Sequence, residues 1–258
     1  MSAPVLRVLE AHARTYRRTW MGSVVTTFLN PILFLLAMGV GLGALVDRGV
    51  GGAALGGFGY LEFLAPGLLA ATAMQTAAAD SAFPVRARIK WVKTYHAALA
   101  TPVSARDLVV GHLCWVALRL VLAASVFALV MTAFGATGPA GGALAVLPAV
   151  LTGMAFAPPV TAIAAGGSSD YGLSSLFRFG IVPLFLFSGT FFPISQMPAP
   201  LQPVAVVTPL WHGVELARAA ALGSAPAWPP LAHGAYLVAW LLVGAAVAVR
   251  VFDRKLVR

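Results

Sequence analysis

Residue types that carry chemistry are sparse in this chain and poorly grouped. A loop that cradles phosphates needs G-x-x-x-x-G-K-[ST], whose backbone amides and lysine hold the anion. The lysines are Lys90, Lys93 and Lys255, and none follows a glycine. If ATP is consumed, another chain binds it. The histidines His12, His96, His112, His212 and His233 stand far apart with no i, i+4 pair, and neither H-E-x-x-H nor G-x-S-x-G occurs. The single cysteine, Cys114, excludes an intrachain disulfide and a cysteine metal cluster. Gly166-Gly167-Ser168-Ser169-Asp170 follows Pro158-Pro159 and reads as a flexible turn. Two ionisable residues, Glu62 and Arg119, fall inside apolar runs, where charge is costly and a functional role is the default hypothesis.

The elements that must hold these residues are membrane spans. Of 258 residues, 60% are hydrophobic and 10% charged, and the mean hydropathy is +0.88. A soluble domain carries about 25% charged residues, so an ordinary cytosolic enzyme and a disordered tail are both excluded. Six runs are long enough to cross a bilayer as helices: 22–46, 60–79, 108–134, 143–165, 173–192 and 231–249. The reading is an all-α membrane protein, one transmembrane domain over 1–258. It divides into a leader (1–21), spans 1 and 2 (22–79), a loop segment (80–107), spans 3 to 5 (108–192), a broken apolar stretch (193–230), span 6 (231–249) and a tail (250–258). The charged leader is too long for the lead of a secretory signal, and the run behind it is too long for its apolar region, so the leader is expected to be retained.

Basic residues set the sidedness. Arg7, Arg14, Arg17 and Arg18 precede span 1; Arg86, Arg88, Lys90, Lys93 and Arg106 lie between spans 2 and 3; Arg250, Arg254, Lys255 and Arg258 close the chain; Arg178 sits at the same end of span 5. Only Arg48 and Arg218 fall on the other side, so the positive-inside rule places both termini in the cytoplasm. Stretch 193–230 is apolar enough to suggest a seventh span. Pro209, His212, Glu215 and Arg218 interrupt it, eight of the 18 prolines fall in it, and a further crossing would move the basic tail outside. It reads as a re-entrant or surface-lying hairpin on the outer face. Measured along the helices, Arg119 lies about 16 Å deep and Glu62 about 27 Å from the inner face, a gap of about 10 Å that a direct pair bridges only by snorkelling or tilt. Glu62 reads as a shallow interfacial residue, and Arg119 as a structural contact or a contact to cargo.

Two cytoplasmic segments have amphipathic spacing. Leu6, Leu9, Ala13, Tyr16 and Trp20 share one stripe, the pattern of a helix lying in the inner interface. Val85, Ile89, Val92, His96 and Leu99 share another, with Arg86, Arg88, Lys90 and Lys93 off it, so a short helix is expected between spans 2 and 3. It serves either as a topological anchor or as a docking element. Pro102 ends it, and Ser104 with Asp107 forms a capping box opening span 3.

Two stretches resemble a known family. Leu99-Ala100-Thr101-Pro102-Val103-Ser104-Ala105-Arg106-Asp107-Leu108, followed by Gly111, resembles the cytoplasmic loop of type-2 ABC transporter permeases. Phe187-Ser188-Gly189-Thr190-Phe191-Phe192-Pro193, with Pro198, Leu201, Pro209-Leu210 and Arg218, resembles that family's pattern before the last span. Within the family the likeness is to nodulation-factor and daunorubicin export permeases. The resemblance implies a subunit with no catalytic residue, metal or cofactor of its own, paired with a second, identical permease copy and two ATP-binding subunits that hold ATP and Mg2+. The segment matching 88–101 would be a coupling helix, giving a docking set of Arg86, Arg88, Lys90, Trp91, Lys93, Tyr95, His96, Leu99, Thr101 and Pro102. Ser188, Gly189, Phe192, Pro193, Pro209 and Arg218 would form the outer hairpin. His96 and His112 stand where many relatives hold glutamates, which puts any ionic contact of those acids in doubt. The implied setting is a bacterial cytoplasmic membrane, with the lipid bilayer and no nucleic acid as partner.

Two other classes compete with an ATP-driven exporter. A stand-alone secondary exporter predicts intramembrane carboxylates and an internal repeat. A membrane-embedded lipid or glycan enzyme predicts clustered Asp, His or Arg, whereas the eight acidic residues are scattered.

Overall fold

The computed structural model of the chain describes residues 3–47, 55–167 and 169–257. Arg48, Arg258 and Ser168, used above for charge and turn, lie outside the described residues. Among the described residues every regular element is helical.

Helix α1 (Ala3–Phe34) passes through a π-helical stretch, Leu35–Leu42, into the short α2 (Gly43–Val46). No break separates the basic leader from the first span, so the leader helix, expected to be separate, is continuous with that span. The buried stripe is also displaced by one position. Val5, Val8 and His12 are buried, whereas Leu6 and Trp20 are 45% and 47% exposed. The leader therefore packs one face inward and leaves the sequence-predicted apolar stripe on its flank.

Helix α3 (Tyr60–Lys90) opens on a cap in which the Glu62 carboxylate accepts from Gly59 N at 2.9 Å. Tyr60 N donates to Asp47 Oδ1 at 2.9 Å and ties α3 to the end of α2. At 31 residues, α3 spans about 46 Å, well beyond a hydrocarbon core of about 30 Å. It therefore continues past position 79, where the loop was expected to begin. It stops at Trp91, and Lys93 adopts the left-handed conformation (φ 55°) before α4 (Thr94–Leu99). The single stripe expected from Val85 to Leu99 is thus split between two helices, and Val92 is 65% exposed.

Ser104 caps α5 (Ala105–Ala133) in the expected capping box, its hydroxyl accepting from Asp107 N at 3.1 Å while Asp107 accepts from Ser104 N at 3.0 Å. Helix α6 (Pro139–Gly166) follows. Next come α7 (Asp170–Leu176), a π-helical turn (Phe177–Ile181) and α8 (Val182–Phe187) in one line. That line ends five residues before the expected limit of span 5, because Gly189 turns the chain at φ 80° and Pro193 follows. Stretch 193–230 is broken as its prolines require, into α9 (Gln202–Val207) and the largely buried α10 (Pro209–Leu222). Helix α11 (Pro230–Phe252) runs into a π-helical end, Asp253–Val257.

Helix α6 is the hub and packs on α3, α11, α10 and α5. Association in lipid depends on close backbone approach by small residues rather than on hydrophobic transfer, and α3 supplies it with fully buried Ala65, Ala70, Ala71, Ala77, Ala78 and Ala82. At Gly153 a Cβ would meet Ala73 O at 2.9 Å, so even alanine there would push α6 off α3. Among the described residues five segments are long and apolar enough to cross a membrane: Trp20–Val46, Ala105–Ala133, Pro139–Gly166, Asp170–Phe187 and Pro230–Val257. The exception among the expected spans is α3, more than half of it buried, which carries Thr72, Gln75, Thr76 and Asp80 among its alanines.

Candidate transport and docking sites

Three groups of functional side chains are built on this bundle. The first lies among α1, α3 and α5, which enclose a cavity of about 290 Å³. Leu69, Phe34 and Phe127 form part of its wall, with Asn30, Thr72, Gln75, Thr76, Asp80 and Arg119 turned into the same space. Arg119 Nε lies 3.2 Å from Asp80 Oδ2, and each side chain keeps about a fifth of its surface open (20% and 21%). The guanidinium also sits 4.9 Å from the centre of the Tyr16 ring. Arg119 is therefore paired, but not with Glu62, whose carboxylate is spent on the α3 cap. Asp80 was missed because it follows the expected end of span 2 by one residue. The extension of α3 carries it inward.

The second group surrounds the far end of α3. Arg86 is buried: its Nε donates to Asp170 Oδ1 at 3.1 Å and its Nη1 to the carbonyls of Ala164 (3.0 Å) and Gly167. Lys90 reaches the same Asp170 at 3.2 Å. These contacts pin the α6–α7 turn to α3 and remove Arg86 from the exposed docking set. Tyr95 is buried as well, against Phe252. Arg88 packs on both His12 ring nitrogens, 2.7 Å from Nδ1 and 2.6 Å from Nε2, and lies over the Tyr95 ring. Burial, then the Arg88 charge, then His112 hold His12 far below the usual imidazole range. What remains exposed from the docking set is Lys90, Trp91, Lys93, His96, Thr101 and Pro102, with Arg88 and Leu99 half-buried. His112, by contrast, is enclosed beside His12.

The third group lies at the opposite end of α3. Arg218 on α10 is buried, with Nε donating to Phe63 O (3.1 Å) and Nη2 to Gly189 O (2.7 Å) and Thr190 O (3.1 Å). Its guanidinium lies 3.6 Å over the Phe63 ring. Burial pulls its pKa down to about 10, with Glu215 opposing. The left-handed turn at Gly189 presents two of those carbonyls, so the loop is folded around the arginine. Ser188 hydrogen-bonds the Thr208 hydroxyl at 3.1 Å, and Thr208 caps α10 at Pro209. Phe192 lines an apolar groove with Phe187 and Phe191, and Pro193 borders the pocket beside Arg218. Behind α10, His212 Nδ1 lies 2.9 Å from His233 Nδ1, packed among Trp211, Trp228 and Tyr236. Burial and then His233 lower His212 to about 4. The histidine pair was missed because its members are 21 residues apart on different helices. Among the described residues no third ligand joins it to hold a metal.

A closed charge cage at one end of a helix, a polar cavity along it and an exposed basic corner at the other end suit passage or transmission. Comparison with known proteins agrees. The profile described as ABC-2 type transporter matches residues 5–222. The chain is similar to Nodulation protein J of Rhizobium leguminosarum bv. viciae, 29% identical over 256 residues covering 98% of this chain and 95% of that one. It is 34% identical to Nodulation protein J of Sinorhizobium fredii over 212 residues (80% and 77%). To that of Rhizobium meliloti it is 29% identical over 218 residues (84% and 79%).

Proposed function

The chain belongs to the ABC-2 type transporter family, and on that premise we propose that it is the membrane subunit of an ATP-driven exporter of an amphipathic cargo. Helix α3 supplies the sixth span, both termini and the Lys90 end of α3 face the cytoplasm of a bacterial cell, and stretch 193–230 caps the outer face. Two ATP-binding subunits, carrying ATP and Mg2+, dock on the corner of Trp91, Val92, Lys93 and His96. A second copy of this chain completes the path. Cargo is a glycolipid, a lipid-linked glycan or a hydrophobic drug.

The observation that carries the reading is the continuity of α3. One unbroken helix bears Asp80 of the cavity and ends at exposed Trp91, 60% accessible, roughly 17 Å further along its axis. A push on that end reaches the cavity wall along one helix, through Pro84, where the missing backbone N–H frees the Asp80 carbonyl and gives the helix a place to bend. Within the cavity the Asp80–Arg119 pair, Asn30 and Gln75 offer hydrogen bonds to a polar head, while Phe34 and Phe127 face its apolar part.

Affinity purification from the native membrane in mild detergent tests this. A stoichiometric partner carrying G-x-x-x-x-G-K-[ST] with ATPase activity is expected, and Trp91→Ala should uncouple ATPase from transport without unfolding the permease. A cysteine introduced by Ala199→Cys should react with an impermeant thiol reagent from outside. Labelling from the cytoplasmic side alone would overturn the six-span topology. Asp80 favours one second reading, a stand-alone ion-coupled exporter, because it is an intramembrane carboxylate of the kind such carriers use. A reproducibly partnerless, folded chain whose export collapses with the proton gradient would establish that instead.

A further inference from the structure

A second cavity, of about 370 Å³, opens between the start of α1, the α4 region and the first turn of α5. We propose that it binds the phosphate group of an anionic membrane lipid. Its rim carries Arg7 and Arg88, and its floor is apolar, made by Val8, Val103 and Leu108 among others. Neither guanidinium forms an ion pair with a carboxylate among the described residues, whereas Arg14 on the neighbouring turn is paired with Glu10. No acidic side chain lines the cavity.

A separate observation points the same way. Tyr95 lines the cavity and is 4% exposed, and its hydroxyl makes no hydrogen bond of good geometry, its one neighbour of opposite polarity being the Arg88 guanidinium. A buried hydroxyl without a partner is costly, and a phosphate oxygen would satisfy it. His12 orients Arg88 at the same wall, so the guanidinium is held in place before anything binds. Thr15 lies on the border between this cavity and a second hollow lined by Arg14, Arg17 and Arg18. Together they make one positive strip of the kind that draws anionic headgroups.

The apolar floor selects a lipid over a free anion, because inorganic phosphate would lose hydration against Val8 and Leu108 with nothing to replace it. A phosphodiester attached to glycerol and acyl chains places apolar atoms there. Leu108 lies in the first turn of α5, where that helix leaves its polar cap, a position that matches the headgroup boundary.

The test is native mass spectrometry of the full chain released from phosphatidylcholine nanodiscs containing increasing phosphatidylglycerol. One phosphatidylglycerol per chain should be retained in preference to phosphatidylcholine. The Arg7→Gln/Arg88→Gln variant should weaken that preference by about thirtyfold. Tyr95→Phe, which keeps the ring packing, should weaken it by about fivefold. Arg106→Gln, a charge at the same end but off the cavity, should leave it unchanged. Inorganic phosphate should compete no better than chloride at equal ionic strength. The proposal is overturned if phosphatidylglycerol is retained equally by wild type, the Arg7/Arg88 variant and Tyr95→Phe, or if Arg106→Gln weakens it as much as they do. Efficient displacement by inorganic phosphate would overturn the lipid in favour of a free anion. No partner subunit takes part, so failure here and failure of the exporter reading are separable.

Discussion

Arg218 and Arg119 are both guanidiniums enclosed by the bundle, and they are handled in opposite ways. Arg218 is held by three backbone carbonyls and an aromatic face, with only 9% of its side chain open. Arg119 has one carboxylate, Asp80, and a cavity in front of it. Carbonyls fixed by the chain's own turns cannot reorganise, so the first arrangement is a rivet. A side-chain pair beside open space can exchange partners, so the second is a place where something else can bind. Enclosed charge alone does not mark a site. What surrounds it does.

Four experiments would break or sharpen that contrast. The largest effect is expected from Arg218→Ala, which orphans the Gly189 and Thr190 carbonyls, strips the Phe63 carbonyl of its second donor, and should cost about 4 kcal/mol. It should be read as loss of the folded, monodisperse species in detergent, with Arg218→Lys failing to rescue because one ammonium cannot replace a planar fork. Asp80→Asn comes next, at about 1–2 kcal/mol, because polar pairs between membrane helices are worth less where both partners stay partly open. Its larger consequence should be on export, and the double variant Asp80→Asn/Arg119→Gln should regain stability without regaining transport. If the double variant transports normally, the pair is a rivet too and the contrast fails.

Acid should act third, and on the rivet's side of the molecule. His212 has a folded pKa lowered to about 4 against an ordinary 6.5, so the folded protein binds fewer protons than the unfolded one. Stability should be flat above about pH 6.5 and fall as pH drops from there toward about 4. Fluorescence of Trp211 and Trp228, which flank the ring, should report it, and His212→Gln should reduce the fall but leave the part that comes from His12, which is also held below the usual imidazole range. The smallest effect is expected from Ser104→Ala, which removes the cap of the helix carrying Arg119 and should cost about 1 kcal/mol in thermal stability.

Legibility in the sequence followed the range of the interactions. The Ser104–Asp107 box was readable because its partners are three residues apart, and five of the expected spans because apolarity is a property of runs. The unbroken α1 was hidden by a cluster of arginines that resembles a boundary, although a helix can carry such charges past one. The corner at Lys93 was hidden because a heptad-like spacing survives a break that only a backbone angle reveals. Asp80 lay one residue beyond an assumed end. The Arg218 cage could not be read at all from side-chain types, since its ligands are main-chain oxygens that every residue has. The likeness to a family flagged Gly189 and Arg218 separately, and the fold shows that they touch.

The Arg218 cage also has a history within each molecule. One of its ligands, the Phe63 carbonyl, is synthesised 155 residues before the arginine that claims it. At bacterial-like elongation speeds that interval is on the order of 10–30 s. Until then the Phe63 carbonyl has only its place in the α3 ladder, and no donor from α10 reaches its second lone pair. A nascent chain stalled or truncated before α10 therefore lacks the cation that ties the start of α3 to the turn at Gly189.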